Sequence, residues 1–293
     1  MDTSLTVPWT RYIPHRPTAK QLAFLLLDIP EALYGGAAGG GKSDALLMAA
    51  LQYVSVPNYA ALLLRRTYAD LSLPGALMSR AFEWLMPTDA RWKNSEKTWV
   101  FPSGATLTFG YLDSVGSEYR YQSSEFQFIG FDELTQFRES QYRYLFSRLR
   151  RLAGDAVPLR MRSASNPGGI GHEWVRQRLV DRDVDAEERV FIPATLEDNP
   201  YLDRTAYLQS LMQLDPVTRQ QLLQGDWTAR ETGSLFKREW FGIVDELPVS
   251  MNRSVRFWDL AATPLRAGID PDYTVGIRLD YGTDGLYYLV DIQ

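Results

Sequence analysis

The chain has 293 residues, 45% of them apolar and 23% charged, with a net charge of −5 and no cysteine. That length accommodates one large or two medium domains with a full core, and the absence of cysteine excludes disulfides and thiolate metal sites. The overall charge is no signature of nucleic-acid binding, and 26 arginines against 5 lysines fit either bidentate phosphate contacts or a GC-rich coding genome.

His15 and His172 are the two histidines and stand far apart, so a histidine metal cluster or a His-based triad is not expected. No apolar run reaches the ~18 residues of a membrane span, and the N-terminus lacks a secretory-signal pattern. The expected setting is therefore the cytoplasm.

Residues 32–47 read ALYGGAAGGGKSDALL. EALYG is short and apolar, as a buried strand is, and SDALLMAALQYV continues as a helix. Between them Gly35, Gly36, Gly39, Gly40 and Gly41 fall within seven positions. Glycine is entropically costly, so such a run serves backbone geometry that other residues do not allow. From Gly36 the string satisfies G-x-x-x-x-G-K-[ST], a nest of backbone N–H groups around phosphates closed by a helix N-terminus. Lys42 then reaches the β- and γ-phosphates and Ser43 supplies a hydroxyl to Mg²⁺. A glycine-rich linker would not open into an apolar helix.

YAALLLRRT (59–67) predicts a strand ending in Arg65 and Arg66, and residues 98–112 predict two strands around a Pro-Ser-Gly turn. EFQFIGFDELTQF (125–137) is a buried strand closed by two acids. Asp132 suits an Mg²⁺ carboxylate, and Glu133 suits a group that polarises water. The spacing of Tyr142, Leu145, Phe146, Leu149 and Leu152 predicts an amphipathic helix over 139–152. In PLRMRSASNPGG (158–169) a strand runs into a loop where Ser165 and Asn166 either sense the γ-phosphate or form a plain Asn-Pro turn. ERVFIPATLEDNP (188–200) is the last strand of the set, and 204–227 is helical. Alternating strands and helices give an α/β fold, a mainly parallel sheet flanked by helices.

Near residue 230 the pattern becomes aperiodic. VRFWDLAAT, YTVGIRLDY and GLYYLVDIQ are then three consecutive strands, the last two joined by the hairpin turn GTDG. Asp259 falls at the centre of an apolar run, where a carboxylate is costly unless it binds metal or pairs. Three strands leave sheet faces uncovered.

The ordered set of Gln21 in PTAKQ, GGAAGGGKS, LLLRRT, FIGFDE, SASNP and FWDLAAT resembles the large terminase subunit of tailed bacteriophages, the motor that packages DNA into procapsids. The resemblance implies a P-loop ATPase domain over 1–230 with a helical lid at about 168–230. A linker over 231–250 and the first strands of an RNase H-like nuclease over 251–293 follow. It implies Gln21 as the adenine reader, Gly36, Gly39, Gly40, Gly41, Lys42 and Ser43 as the ATP phosphate loop, and Ser43 with Asp132 as Mg²⁺ ligands. Glu133 becomes the catalytic glutamate, and Ser165 and Asn166 the segment coupling hydrolysis to motion. Arg120 stands where an arginine finger acting on a neighbouring subunit is expected, with Arg65 and Arg66 as rivals.

For the nuclease, the resemblance implies Asp259 as the first ligand of two divalent metals, Mg²⁺ or Mn²⁺, with Asp272 a weaker candidate. The remaining carboxylates of the family lie on later strands, so the nuclease is expected to be incomplete and inactive and the parent protein longer. The implied partners are double-stranded DNA, the portal protein, the small terminase subunit and further copies forming a homo-oligomeric ring, a pentamer, in the host cytoplasm and transiently at the procapsid. Arg138, Arg143, Arg148, Arg150, Arg151, Arg160 and Arg162 either line a channel for duplex phosphates or form a solvated face. Two other classes stay open: another DNA-remodelling or helicase-like P-loop ATPase, and a non-catalytic nucleotide-binding assembly protein.

Overall fold

The computed structural model describes residues 9–153, 156–181, 188–229, 240–244, 246–247, 250–260 and 274–292. It divides into two units, Met1–Arg230 and Glu231–Gln293.

The first unit opens with α1 (Ala19–Leu26), started by a reciprocal Thr18–Gln21 capping box, and β1 (Glu31–Gly36). Next come α2 (Lys42–Leu51), β2 (Ala60–Arg65), the short helices α3 (Tyr68–Ser72) and α4 (Leu77–Leu85), and strands β3 (Arg91–Lys93), β4 (Thr98–Val100) and β5 (Thr106–Tyr111). β6 (Phe128–Asp132), α5 (Glu139–Phe146), β7 (Arg160–Ser165), α6 (His172–Val175), β8 (Arg189–Ala194), α7 (Arg204–Leu211) and α8 (Pro216–Gln224) complete it.

The strands form one sheet in the order β3-β4-β5-β2-β6-β7-β1-β8. Every pairing from β5 to β8 is parallel, and β3–β4–β5 add an antiparallel edge. Period-two alternation sends Ala61 and Leu63 of β2 into a core with Phe24 and Leu46, and Leu62 and Leu64 into another with Ile129 and Tyr142. Both faces are covered, which is why these strands read as continuous apolar runs. The parallel strands deliver Gly36, Arg65, Asp132, Ser165 and Ala194 to one edge, the crevice where open α/β sheets bind ligands.

At the opposite end of β1 the buried Glu31 carboxylate accepts from Arg178 at 2.8 and 3.0 Å, Arg189 at 3.1 Å and the Tyr142 hydroxyl at 2.9 Å. One anion thereby ties the segments around α5, α6 and β8 to the base of β1.

Two expectations change in this unit. The helix expected over 139–152 stops at Phe146, because Phe126 exchanges backbone hydrogen bonds with Arg148 and Arg150 at 3.0 Å each and pulls the chain into a bridge at Leu149. Leu152 is left 74% exposed. Arg160 and Arg162, expected on an arginine-rich face, point instead into the core from β7. Arg160 donates to the Gln52 side chain at 2.7 Å and the Ala49 carbonyl at 3.3 Å, and Arg162 to the carbonyls of Leu27 at 2.8 Å and Ile29 at 3.0 Å. Carbonyls at and beyond helix C-termini carry the negative end of the helix dipole and so replace a carboxylate partner. Burial, with Arg160 alongside, pushes the Arg162 guanidinium down to about 9. Helices α1, α3 and α4 and strand β3 have no counterpart among the expected elements.

The second unit holds β9 (Met251–Asp259), β10 (Val275–Gly282) and β11 (Tyr287–Ile292) in an antiparallel sheet ordered β11-β10-β9. Its hairpin turns through the expected GTDG, where the Gly282 N–H donates to the Leu286 carbonyl at 2.9 Å. Asp259 is the last residue of β9 and exposed, opposite Val275, not central and buried, so the desolvation argument for it falls away. Asp272 lies outside the described residues.

Candidate nucleotide site

The loop between β1 and α2 is held before it wraps anything. The Ala37 N–H donates to the Ala194 carbonyl at 2.8 Å and the Ala38 N–H to the Leu222 carbonyl at 2.6 Å. Two asparagines hold it from either side of β1. Asn166, beyond β7, donates to the Gly36 carbonyl at 2.7 Å, and Asn199, beyond β8, to the Gly39 carbonyl at 2.7 Å. The Tyr34 hydroxyl reaches the Gly40 carbonyl at 3.1 Å. Gly225, just past α8, packs so closely that a Cβ there would lie 2.4 Å from the Ala37 nitrogen.

Gly41 has φ 72°, and no side chain caps α2. A left-handed residue at that point turns the chain so that the first N–H groups of the helix face the cleft, the ordinary arrangement for binding an anion. Gln21 approaches the same residue. It is 3% exposed; its amide oxygen accepts from the Thr18 N–H at 2.9 Å and its amide nitrogen donates to the Gly41 carbonyl at 2.9 Å. One amide N–H and one oxygen lone pair of Gln21 stay uncommitted by these bonds.

Lys42 is buried, with Nζ 2.5 Å from the Ala37 carbonyl. Burial pushes its ammonium down to about 8, against the opposing pull of Glu133 and Asp132. The Ser43 hydroxyl donates to Asp132 Oδ1 at 3.1 Å, and Arg65 Nε donates to Asp132 Oδ2 at 2.8 Å. Arg65 also reaches Glu133, with Nη2 3.5 Å from Oε1. Glu133 follows the strand in a left-handed conformation, φ 57° and ψ 55°, uncommon for a residue with a side chain. Burial and the Asp132 carboxylate raise its pKa above the ordinary glutamate value, against Arg65 and Lys42.

Ser165 is buried, and its hydroxyl lies 3.0 Å from that of Thr135 and 3.1 Å from the Thr135 nitrogen, just past Glu133. The SASN segment therefore touches the turn after the acids through Ser165 and the loop through Asn166. The cleft, about 310 Å³, is lined by the loop residues together with Asp44, Arg80, Glu133, Asn166, Asn199 and Tyr207.

The expected residues Gly39, Gly40, Gly41, Lys42, Ser43, Glu133 and Asn166 thus meet in one cleft, with Asp132 and Gln21 bonded to its walls. Arg120 is elsewhere, on the short 3-10 turn Ser117–Tyr121, exposed and stacked 4.3 Å over the Tyr111 ring. Arg65 holds the acids within this chain. Residues missed from sequence are Asp44, Arg80, Asn199 and Tyr207. Only Asn199 carried a signal, since NP after a strand occurs twice, at 166–167 and 199–200.

Ser43 Oγ and Asp132 Oδ1 are hard oxygen donors, and Mg²⁺ at nucleotide sites uses few protein ligands alongside substrate oxygens and water, so the residues fit that ion. Among the described residues no three His, Cys, Asp or Glu side chains come together to hold a metal, and Asp259 has no such companions.

The profile of the family described as terminase large subunit, T4likevirus-type, N-terminal, matches residues 33–243. No curated protein matches the chain. Among solved structures the fold is similar to the large terminase of a thermophilic bacteriophage in complex with ATP-gamma-S, with TM-score 0.59 and 16% identity over 95% of this chain and 68% of that one. It is similar to the large terminase ATPase domain of a Thermus phage, with TM-score 0.52 and 12% identity over 76% of this chain and 100% of that one. The HK97 bacteriophage large terminase gives TM-score 0.54 and 13% identity over 96% and 63%. The profile covers well over half of the chain, and the chain belongs to the large terminase subunit family of tailed bacteriophages, the phage DNA-packaging motor subunits.

Proposed function

We propose that this subunit hydrolyses ATP and uses the energy to translocate double-stranded DNA into a procapsid. The observation that carries the reading is the contact of Ser43 with Asp132 at 3.1 Å. It joins the start of α2 to the end of β6, and so sets the phosphate loop beside the acids.

In this reading the free N–H groups from Gly39 to Ser43 cradle the phosphates, and Lys42 neutralises the β- and γ-oxygens. Ser43 and Asp132 hold Mg²⁺, which when bound offsets charge on the transferred phosphoryl group. Glu133 orients water for in-line attack, and Arg65 keeps both carboxylates in place. Gln21 offers its uncommitted N–H and lone pair to adenine. Ser165 and Asn166 connect the acids to the loop, so a change at either end is felt at the other. Arg120 acts as a finger on a neighbouring subunit, in a homo-oligomeric ring, a pentamer, seated on the portal protein. The small terminase subunit delivers the DNA, and the work proceeds in the host cytoplasm at the procapsid.

We assign endonuclease cutting to the whole protein. The strands β9–β11 open its RNase H-like domain and Asp259 is one carboxylate of the Mg²⁺ or Mn²⁺ pair. The described residues do not by themselves assemble the ligands of those metals.

The test is ATP hydrolysis against protein concentration, with and without linear duplex DNA, beside Lys42→Ala and Glu133→Gln. Specific activity that rises with concentration and is abolished by both substitutions supports the reading. Concentrated wild-type protein that binds nucleotide but never hydrolyses it, with DNA and portal present, would move the chain to the non-catalytic class.

A further inference from the structure

The cleft has two lobes. One, about 310 Å³, runs over the phosphate loop to Glu133. The other, about 430 Å³, is walled by His15, Thr18, Gln21 and Tyr201. Gly41, Asp44, Arg80, Asn199 and Leu202 line both lobes and form the waist between them.

A nucleotide with phosphates on the loop and base in the second lobe must place its pentose at that waist. Two charged side chains wait there. Asp44, in the first turn of α2, accepts from Arg80 Nη1 at 3.0 and 3.1 Å through its two oxygens and has His15 Nε2 at 3.8 Å. Arg80 Nε is buried and has no hydrogen-bond partner in the protein. A carboxylate only accepts and a guanidinium only donates, whereas a sugar hydroxyl does both. An acid two residues beyond the phosphate-binding lysine would repel a nucleotide polyanion unless neutralised, and Arg80 neutralises it while leaving lone pairs on the carboxylate.

We infer that Asp44 and Arg80 form a ribose-reading pair, Asp44 accepting from a sugar hydroxyl and Arg80 fixing the carboxylate, so that the site selects ribonucleotides over deoxyribonucleotides. The inference rests on the nucleotide reading of the cleft and adds the sugar class to it. Loss of one hydrogen bond to a charged group therefore weakens binding by roughly tenfold or more.

The experiment is calorimetric titration of the full chain with ADP, 2′-deoxy-ADP and 3′-deoxy-ADP, each with Mg²⁺, repeated on Asp44→Ala. The expected result is binding of ADP at least tenfold tighter than one of the deoxy forms. In Asp44→Ala that preference collapses, because ADP weakens while the discriminated deoxy form does not. Equal wild-type affinity for all three overturns the ribose pair while leaving the nucleotide site intact. A preference undiminished in Asp44→Ala overturns Asp44 as its reader. No binding of ADP by wild-type protein overturns the nucleotide reading itself. The wild-type comparison needs no variant, so misfolding of Asp44→Ala does not shield the inference.

Discussion

Arg65 holds Asp132, 67 positions further along the chain, by its Nε at 2.8 Å, and the same guanidinium reaches on to Glu133. It is thus the cation that orients both acids from within the subunit. Arg65→Ala is expected to lower kcat by at least a hundredfold and to change nucleotide affinity little, because it removes orientation of the reacting groups rather than phosphate binding. Subunit mixing separates this role from that of Arg120. An Arg120→Ala chain mixed with Glu133→Gln should regain activity at mixed interfaces, and Arg65→Ala mixed in the same way should not. Rescue of Arg65→Ala would place its action across the interface.

Lys42 gives a pH dependence of known sign. Its free-state value near 8 must rise when phosphates arrive, since an opposite charge favours the ammonium. Binding then takes up a proton, and affinity is flat below about 8 and falls above it. Titrations at pH 8.5 in buffers of different ionisation enthalpy should show that uptake, and Lys42→Ala should abolish it. The same burial costs folding stability below about 8, a cost that fades as pH rises towards the ordinary lysine value. Zero uptake in the wild type would mean that the ammonium is already fully charged.

Glu133 stands in a left-handed conformation that costs a residue with a Cβ about 1–2 kcal/mol. Glu133→Gly is therefore expected to be more stable than Glu133→Ala by about 1 kcal/mol, with both inactive in hydrolysis. Denaturant midpoints of the first unit decide it. An alanine variant as stable as the glycine variant removes strain from the account of this residue.

At the other end of β1, Glu31 faces two arginines and a tyrosine hydroxyl. Removing the anion leaves two largely buried cations uncompensated, so Glu31→Ala should cost roughly 3–5 kcal/mol. Tyr142→Phe, which removes one donor to that charge and leaves both arginines in place, should cost less, about 1.5–3 kcal/mol. Chemical unfolding of the two variants checks the ratio, and near-equal losses would show that packing rather than charge governs the cluster.

The sequence carried the loop, its helix and the two acids because each is a local pattern with a fixed chemical reason. It also showed the alternation of strands and helices, which depends on period alone. It could not show Arg65 at Asp132, Asn199 at Gly39 or Arg80 at Asp44, since such contacts arise only once the strand order is known. Arg160 and Arg162 show the opposite failure. Their spacing of two is that of one strand face, yet charge suggested solvent, and only the arriving carbonyls of Ala49 and Leu27 make that face an interior one. The expected burial of Asp259 differs for a related reason, because apolar neighbours in sequence do not ensure burial in a strand that is exposed from Asn252 to Asp259.

Gly225 sits where a Cβ would lie 2.7 Å from Gly36 backbone atoms and closer still to Ala37. The end of α8 and the start of the phosphate loop therefore share one shape. Across related sequences these two distant stretches should vary jointly or not at all, with a bulkier residue at the later position appearing only where the earlier turn has been rebuilt. The packing leaves an evolutionary signature that a comparison of many such chains would reveal as paired change.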